Sequence, residues 1–167
     1  MTDRETPLLS RPLAVDDIPE KGLSMQVTAD PDECAALALA FGLVAIDRLE
    51  GAFELRRKGR EATARGIVRA QVVQNCVVTL DPFAATVEEE VDLRFAPDAP
   101  ALDDENAPPD APDPIVDGKI DLGAVTAEFL ALGLDPYPKK PGASFGFRSE
   151  DEKESPFAAL AKLKSED

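Results

Sequence analysis

The sequence predicts an α+β fold, a curved antiparallel sheet or partial β-barrel with about three helices, built as a single domain. Three stretches carry this reading. From Leu122 to Leu134, the residues Leu122, Val125, Phe129 and Leu132 share one stripe of a 3.6-residue period, Leu130 and Leu134 widen it, and Glu128 is the only charge. A helix so apolar is expected at the centre of a core. From Phe83 to Phe95, the residues Phe83, Ala85, Val87, Val91, Leu93 and Phe95 alternate with Thr86, Glu88, Glu90, Asp92 and Arg94, and only Glu89 breaks the two-residue period of a strand. Asp30-Pro31-Asp32-Glu33 combines an N-cap, a proline at the first helical position and a capping-box glutamate, so a helix starts there.

The remaining elements follow in order. Thr6 to Val15, with Pro7 and Pro12, reads as an edge strand or strap, because proline is confined to sheet edges. Asp16 to Gly22 is a turn and Leu23 to Thr28 a strand. The helix from Pro31 to Phe41 ends at Gly42; Cys34, Leu37, Ala38 and Phe41 share its inner face, which makes Cys34 a small buried hydrophobe. Leu43 to Arg57 is strand-like, with a slip of phase at Gly51 that suggests a bulge or bend. Lys58-Gly59 turns the chain into a second long strand, Arg60 to Gln74, marked by Ile67, Val68, Val72 and Val73.

Between Pro97 and Pro114, six of eighteen residues are proline and no aromatic is present, so this stretch reads as an acidic, solvated insertion loop. Its Asp103-Asp104-Glu105 run lacks EF-hand spacing, and no metal site is assigned. For the central helix, Asp121 is the expected N-cap, Gly133 the left-handed residue past the end, and Pro136 the stop. Asp135 to Gly142, with Pro136, Pro138 and Pro141, is a stiff strap. A charged linker from Arg148 to Glu154 leads to a last short helix, Phe157 to Leu163. Residues 1–155 are thus expected as one domain with an insertion at 97–114, and residues 156–167 as a short C-terminal helix or tail.

Charge and composition narrow the function classes. Of 167 residues, 18 are Lys or Arg, 33 are Asp or Glu and none is His, for a net charge of −15. Such a chain repels polyanions at long range, so DNA is not expected as a partner. The charge is uneven, however: Val44 to Leu80 carries net +3 and Asp81 to Asp121 net −11. Two cysteines without histidine exclude a disulfide scaffold and a four-ligand Cys/His zinc site within the chain. No apolar run approaches the roughly 18 residues that cross a bilayer and the N-terminus lacks a signal-peptide pattern, so the expected setting is cytoplasmic, away from membranes.

Candidate binding residues follow from the basic segment. Arg56, Arg57, Lys58, Arg60, Arg65 and Arg69 cluster at and beside the hairpin, where a shared face would contact phosphate; a solvated hairpin carries such residues without any ligand. Lys139 and Lys140 on the strap are candidate phosphate contacts as well. Tyr137 either covers the core or, with Phe157, Leu160 and Leu163 of the tail, docks a partner. No cofactor is indicated. A carboxylate and metal-dependent hydrolase would need Glu89, Asp117 and Asp121 to converge on one cleft.

Three separated motifs resemble one family. IDLGAVTAEFLALGLDPYPKKPG, with Asp121, Leu122, Glu128, Pro136 and Pro138, is similar to the central signature of the YceD family of large ribosomal RNA subunit accumulation proteins. QNCVVTLDP, with Cys76, resembles that family's strand-end motif, commonly Cys-x-x-Cys, although Thr79 stands where many relatives carry the second cysteine. SPFAALAKLK is similar to its C-terminal ending, and the Asp-Pro-Tyr-Pro strap resembles an alphaproteobacterial branch. The resemblance implies a non-catalytic factor in large-subunit (23S) ribosomal RNA accumulation or processing, binding precursor RNA or a ribosome-assembly protein. The residues leave open a different role as an acidic adaptor or nucleic-acid mimic.

Overall fold

The computed structural model describes residues 6–144. Strand β1 (Pro12–Ala14) and a 3-10 turn (Val15–Asp17) lead to β2 (Leu23–Thr28) and helix α1 (Pro31–Phe41). Three long strands follow, β3 (Ala45–Lys58), β4 (Glu61–Asn75) and β5 (Pro82–Ala96), then two short ones, β6 (Asp113–Pro114) and β7 (Lys119–Asp121), and finally helix α2 (Leu122–Gly133). The main sheet has the order β2-β3-β4-β5-β6, and β1 pairs with β7 in a separate ribbon.

Two features of the expected architecture are corrected. The sheet is open and mixed, because β6 runs parallel to β5 with Phe95 opposite Asp113 and Ala96 opposite Pro114. The acidic stretch therefore does not stay clear of the fold: Arg94 Nη2 donates to the Asp110 carbonyl at 2.7 Å, and the Ile115 N–H donates to Ala96 at 3.0 Å, which draws the end of the loop onto the β5 edge. Among the described residues there are two α-helices, and the expected third, Phe157 to Leu163, lies outside them.

The hairpin forms where expected. Lys58 pairs with Glu61, leaving Gly59 and Arg60 as the loop, and Gly59 takes the positive φ of 63° that a two-residue hairpin asks of its first central residue. The bulge sits between Ile46 and Arg48 instead of at Gly51. Gly51 has another cause: a Cβ there would lie 2.7 Å from Thr126 Oγ1 of α2 and 2.6 Å from the Phe53 ring. The missing side chain lets the helix seat on the sheet.

One buried cluster joins all layers. Leu49, Phe53 and Leu55 of β3, Val68 and Val72 of β4, and Val87, Val91 and Phe95 of β5 face Leu37 of α1 and Leu122, Val125 and Leu130 of α2. Phe129 packs half-buried at its margin, whereas Leu132 is 67 % exposed, because the buried stripe of α2 passes through Thr126 and Leu130. Thr126 tolerates full burial by donating its hydroxyl to the Leu122 carbonyl at 2.7 Å. Gly133 is the last helical residue and not a left-handed cap; a Cβ on it would come 2.5 Å from Val87 Cγ1, so it is kept small by the close crossing over β5.

Both helix starts are fixed as the sequence implies. Asp30 and Glu33 form the reciprocal capping box of α1. Asp121 accepts from Gly123 and Ala124 N–H groups and also from Ser10 Oγ at 2.6 Å and the Arg11 N–H at 2.7 Å. One carboxylate thereby ties the N-terminal segment to the mouth of α2.

Candidate functional site

Strand register decides the fate of the basic cluster. Arg65 and Arg69 point out of β4 between acidic rows: Arg65 lies opposite Glu54 on β3 and Asp92 on β5, and Arg69 opposite Glu50 and Glu88. Each is paired, Arg65 Nε with Asp92 at 3.2 Å and Arg69 Nε with Glu88 at 2.7 Å. At these two rungs the outer sheet face is therefore a neutralised ladder instead of a basic surface. Arg57 points to the opposite face, where Nε donates to the Ile18 carbonyl at 3.1 Å and Nη1 lies 3.6 Å from Asp16. It closes the end of the core.

Arg56, Lys58 and Arg60 remain at the hairpin tip, exposed and without an ion pair among the described residues. Lys139 and Lys140 are exposed too, but they belong to the other end of β4, where the strap meets Cys76. The fourteen steps from Glu61 to Asn75 put the two basic groups about 45 Å apart. The eight basic candidates are thus not one surface: three form the tip, two sit on the strap, two are in the ladder and one is structural.

At the strap end the chain builds an N–H cage around a sulfur. Cys76 is fully buried in the β4–β5 turn, its own N–H donates to Asp81 at 2.8 Å, and Leu80 takes a φ of 63° to close that turn. The Val77 N–H donates to Pro138 at 2.9 Å, and the Lys140 N–H donates to Cys76 Sγ at 3.3 Å. Burial pushes the thiol pKa up, but the Lys140 N–H, the Thr79 hydroxyl and N–H and the Val78 N–H outweigh it and bring the value down to about 7. Thr79, besides contributing to this lowering, accepts from the Asp81 N–H at 3.4 Å. Cys34, in contrast, is raised by burial and by the charges of Asp30, Glu33 and Asp47.

Tyr137 does not cover the core: it is 73 % exposed, because Pro138 and Lys140 hold the strap by backbone atoms and turn the ring outward. Pro136 is exposed beside it, Leu122 is fully buried, and Phe157, Leu160 and Leu163 lie outside the described residues. Glu89 sits beside Gly133 at the end of α2, away from Asp121, which caps its start; among the described residues no group of three Cys, Asp or Glu side chains is placed to hold a metal ion.

A feature absent from the sequence reading is a groove of about 440 Å³ between the end of β5, the β6–β7 turn and the first half of α2. Phe95, Val116, Ile120 and Val125 line it, and Asp113 and Glu128 stand over it. Burial raises the pKa of Asp113; burial and then the Asp113 charge raise that of Glu128. The two are fifteen positions apart, so only the β6–β5 pairing shows that they meet.

No curated protein and no solved structure matches the chain. A family model does, over residues 64–164, and that span takes in most of β4, β5, the Cys76 turn, the acidic stretch, α2 and the strap. On that match the chain belongs to the YceD family, described as large ribosomal RNA subunit accumulation protein YceD.

Proposed function

We propose that this protein is a non-catalytic factor in ribosome biogenesis that supports accumulation or processing of large-subunit (23S) ribosomal RNA, and that it works in the cytoplasm by binding. The family match across residues 64–164 carries the reading. The distribution of side chains supports binding over hydrolysis: Asp121 is committed to capping α2, and Glu89 faces the far end of a twelve-residue helix, about 17 Å along its axis.

For direct RNA contact, Arg56, Lys58 and Arg60 are the assigned phosphate ligands of the hairpin cluster, since Arg65 and Arg69 are paired and Arg57 is structural. Depletion of the protein followed by gradient sedimentation tests the role. The expected result is a fall in large-subunit RNA relative to small-subunit RNA, and an unchanged ratio overturns the reading. The exposed acidic surface favours a second reading, an adaptor for a basic protein partner; in that case depletion lowers the ratio while purified protein shows no salt-dependent RNA binding.

A further inference from the structure

The groove between β5, the β6–β7 turn and α2 has an apolar floor and acidic walls, and nothing described in the chain fills it. Phe95 and Val125 form the floor, Val116 at 43 % exposure and Leu102 at 82 % stand at the rim, and Asp113 and Glu128 overlook the opening. Neither carboxylate has a cation within ion-pair distance among the described residues. Asp117 and Asp121 also line the groove, against a single Lys119. Its volume falls within the range of about 300–1,000 Å³ of sites that hold small ligands and anchor side chains.

We infer that this groove docks a segment of another protein in which a lysine or arginine is flanked by apolar residues. The chemistry leaves little else. An apolar ligand would desolvate the two carboxylates further without a partner, and a hydrated cation would leave Phe95 and Val125 uncovered; a long basic side chain has both an apolar stem and a charged head. RNA is repelled, because Asp81 to Asp121 carries net −11. A second copy is repelled too, since a two-fold pairing sets the same acidic rim against itself in a chain of net charge −15. The chain's own 145–167 segment begins five residues after Lys140, which touches Cys76 at the far end of β5, and carries Lys162 between Ala161 and Leu163, so it enters the test as a competing outcome.

The inference rests on the assembly-factor reading for its setting and names the partner's chemistry. A benzophenone side chain placed at Leu102 or Val116, with Leu39 on α1 as the exposed control, is photoactivated in cells and the adducts are sequenced by mass spectrometry. The expected adduct is a peptide of another protein containing Lys or Arg next to apolar residues, with yield at least fivefold lower in Glu128→Gln and Glu128→Lys backgrounds that melt normally. Adducts to RNA, to residues 145–167, to a second copy or to a peptide without a basic residue overturn it, as does a yield no greater than at Leu39 or one insensitive to both variants. Ribosomal RNA ratios play no part in this readout, so the inference and the proposed function fail separately.

Discussion

The Lys140 N–H points at Cys76 Sγ from 3.3 Å, linking a strap to a turn 64 residues earlier in the chain. With the Val77 to Pro138 hydrogen bond, this is how an eight-residue, proline-rich stretch is held without burying its only tyrosine. Replacing Cys76 by Ala is expected to free the strap, so trypsin cleaves after Lys139 severalfold faster than in the parent; equal cleavage rates remove the sulfur from any anchoring role.

The same sulfur sets a pH dependence. Its folded pKa of about 7 lies below the ordinary thiol value, so the thiolate contributes stability that is fully present above the unfolded thiol pKa and is lost as pH falls through about 7. The denaturation midpoint of the parent relative to Cys76→Ser is expected to rise between pH 7 and pH 9. A constant difference across that window shows that the cage does not favour the anion.

Arg11 grips Glu33 with its two terminal nitrogens, Nη1 and Nη2, each at 2.8 Å, while Glu33 completes the capping box of α1. The hydrogen bond from Arg11 is the main cause of the lowered Glu33 pKa. Glu33→Ala is expected to cost about 1–2 kcal/mol in urea denaturation at neutral pH. That contribution is present above the usual carboxylate range and vanishes as pH falls through the lowered value, so parent and variant converge in strong acid.

Gly66 has no room for a methyl group: a Cβ would lie 1.9 Å from the Ala52 carbonyl oxygen, which is backbone and has nowhere to go. Gly66→Ala is expected to destabilise by about 3 kcal/mol, visible as a lowered urea midpoint. Gly59→Ala, with nothing within 4 Å, is expected to cost only the strain of its positive φ, roughly 1 kcal/mol.

The ladder and the tip separate by salt. Replacing Arg56, Lys58 and Arg60 with Ala is expected to weaken binding to a large-subunit RNA fragment and to flatten the slope of log K against log salt by about 2. Arg65→Ala with Arg69→Ala, which breaks the pairs to Asp92 and Glu88, is expected to leave RNA affinity within twofold and lower stability by only about 0.5 kcal/mol.

What could be read from the sequence was local. The start of α1 was legible because cap, proline and capping-box glutamate sit within four residues, and the start of α2 because Asp121 immediately precedes the apolar run. Leu132 shares the sequence stripe yet lies in solvent, because a stripe has a width but no fixed centre until the sheet chooses one. The parallel pairing of Asp113-Pro114 was hidden inside a proline-rich loop, where no strand signal exists and tertiary contacts decide. The site suffered most from this. Arg65 and Arg69 look basic along the chain and are neutralised only across it, and the lowered Cys76 pKa arises partly from an amide donor 64 positions away.

Strand β5 meets β6 only at Phe95 and Ala96, so along Phe83 to Arg94 its outer backbone edge has no described strand beside it. An unprotected ribbon of this length invites edge-to-edge pairing into fibres. Glu89 and Glu90, neither in an ion pair among the described residues, lie along that stretch, and a like strand laid against it brings carboxylate to carboxylate. The crowding of acid there works as a guard against self-association, one that weakens as salt screens it.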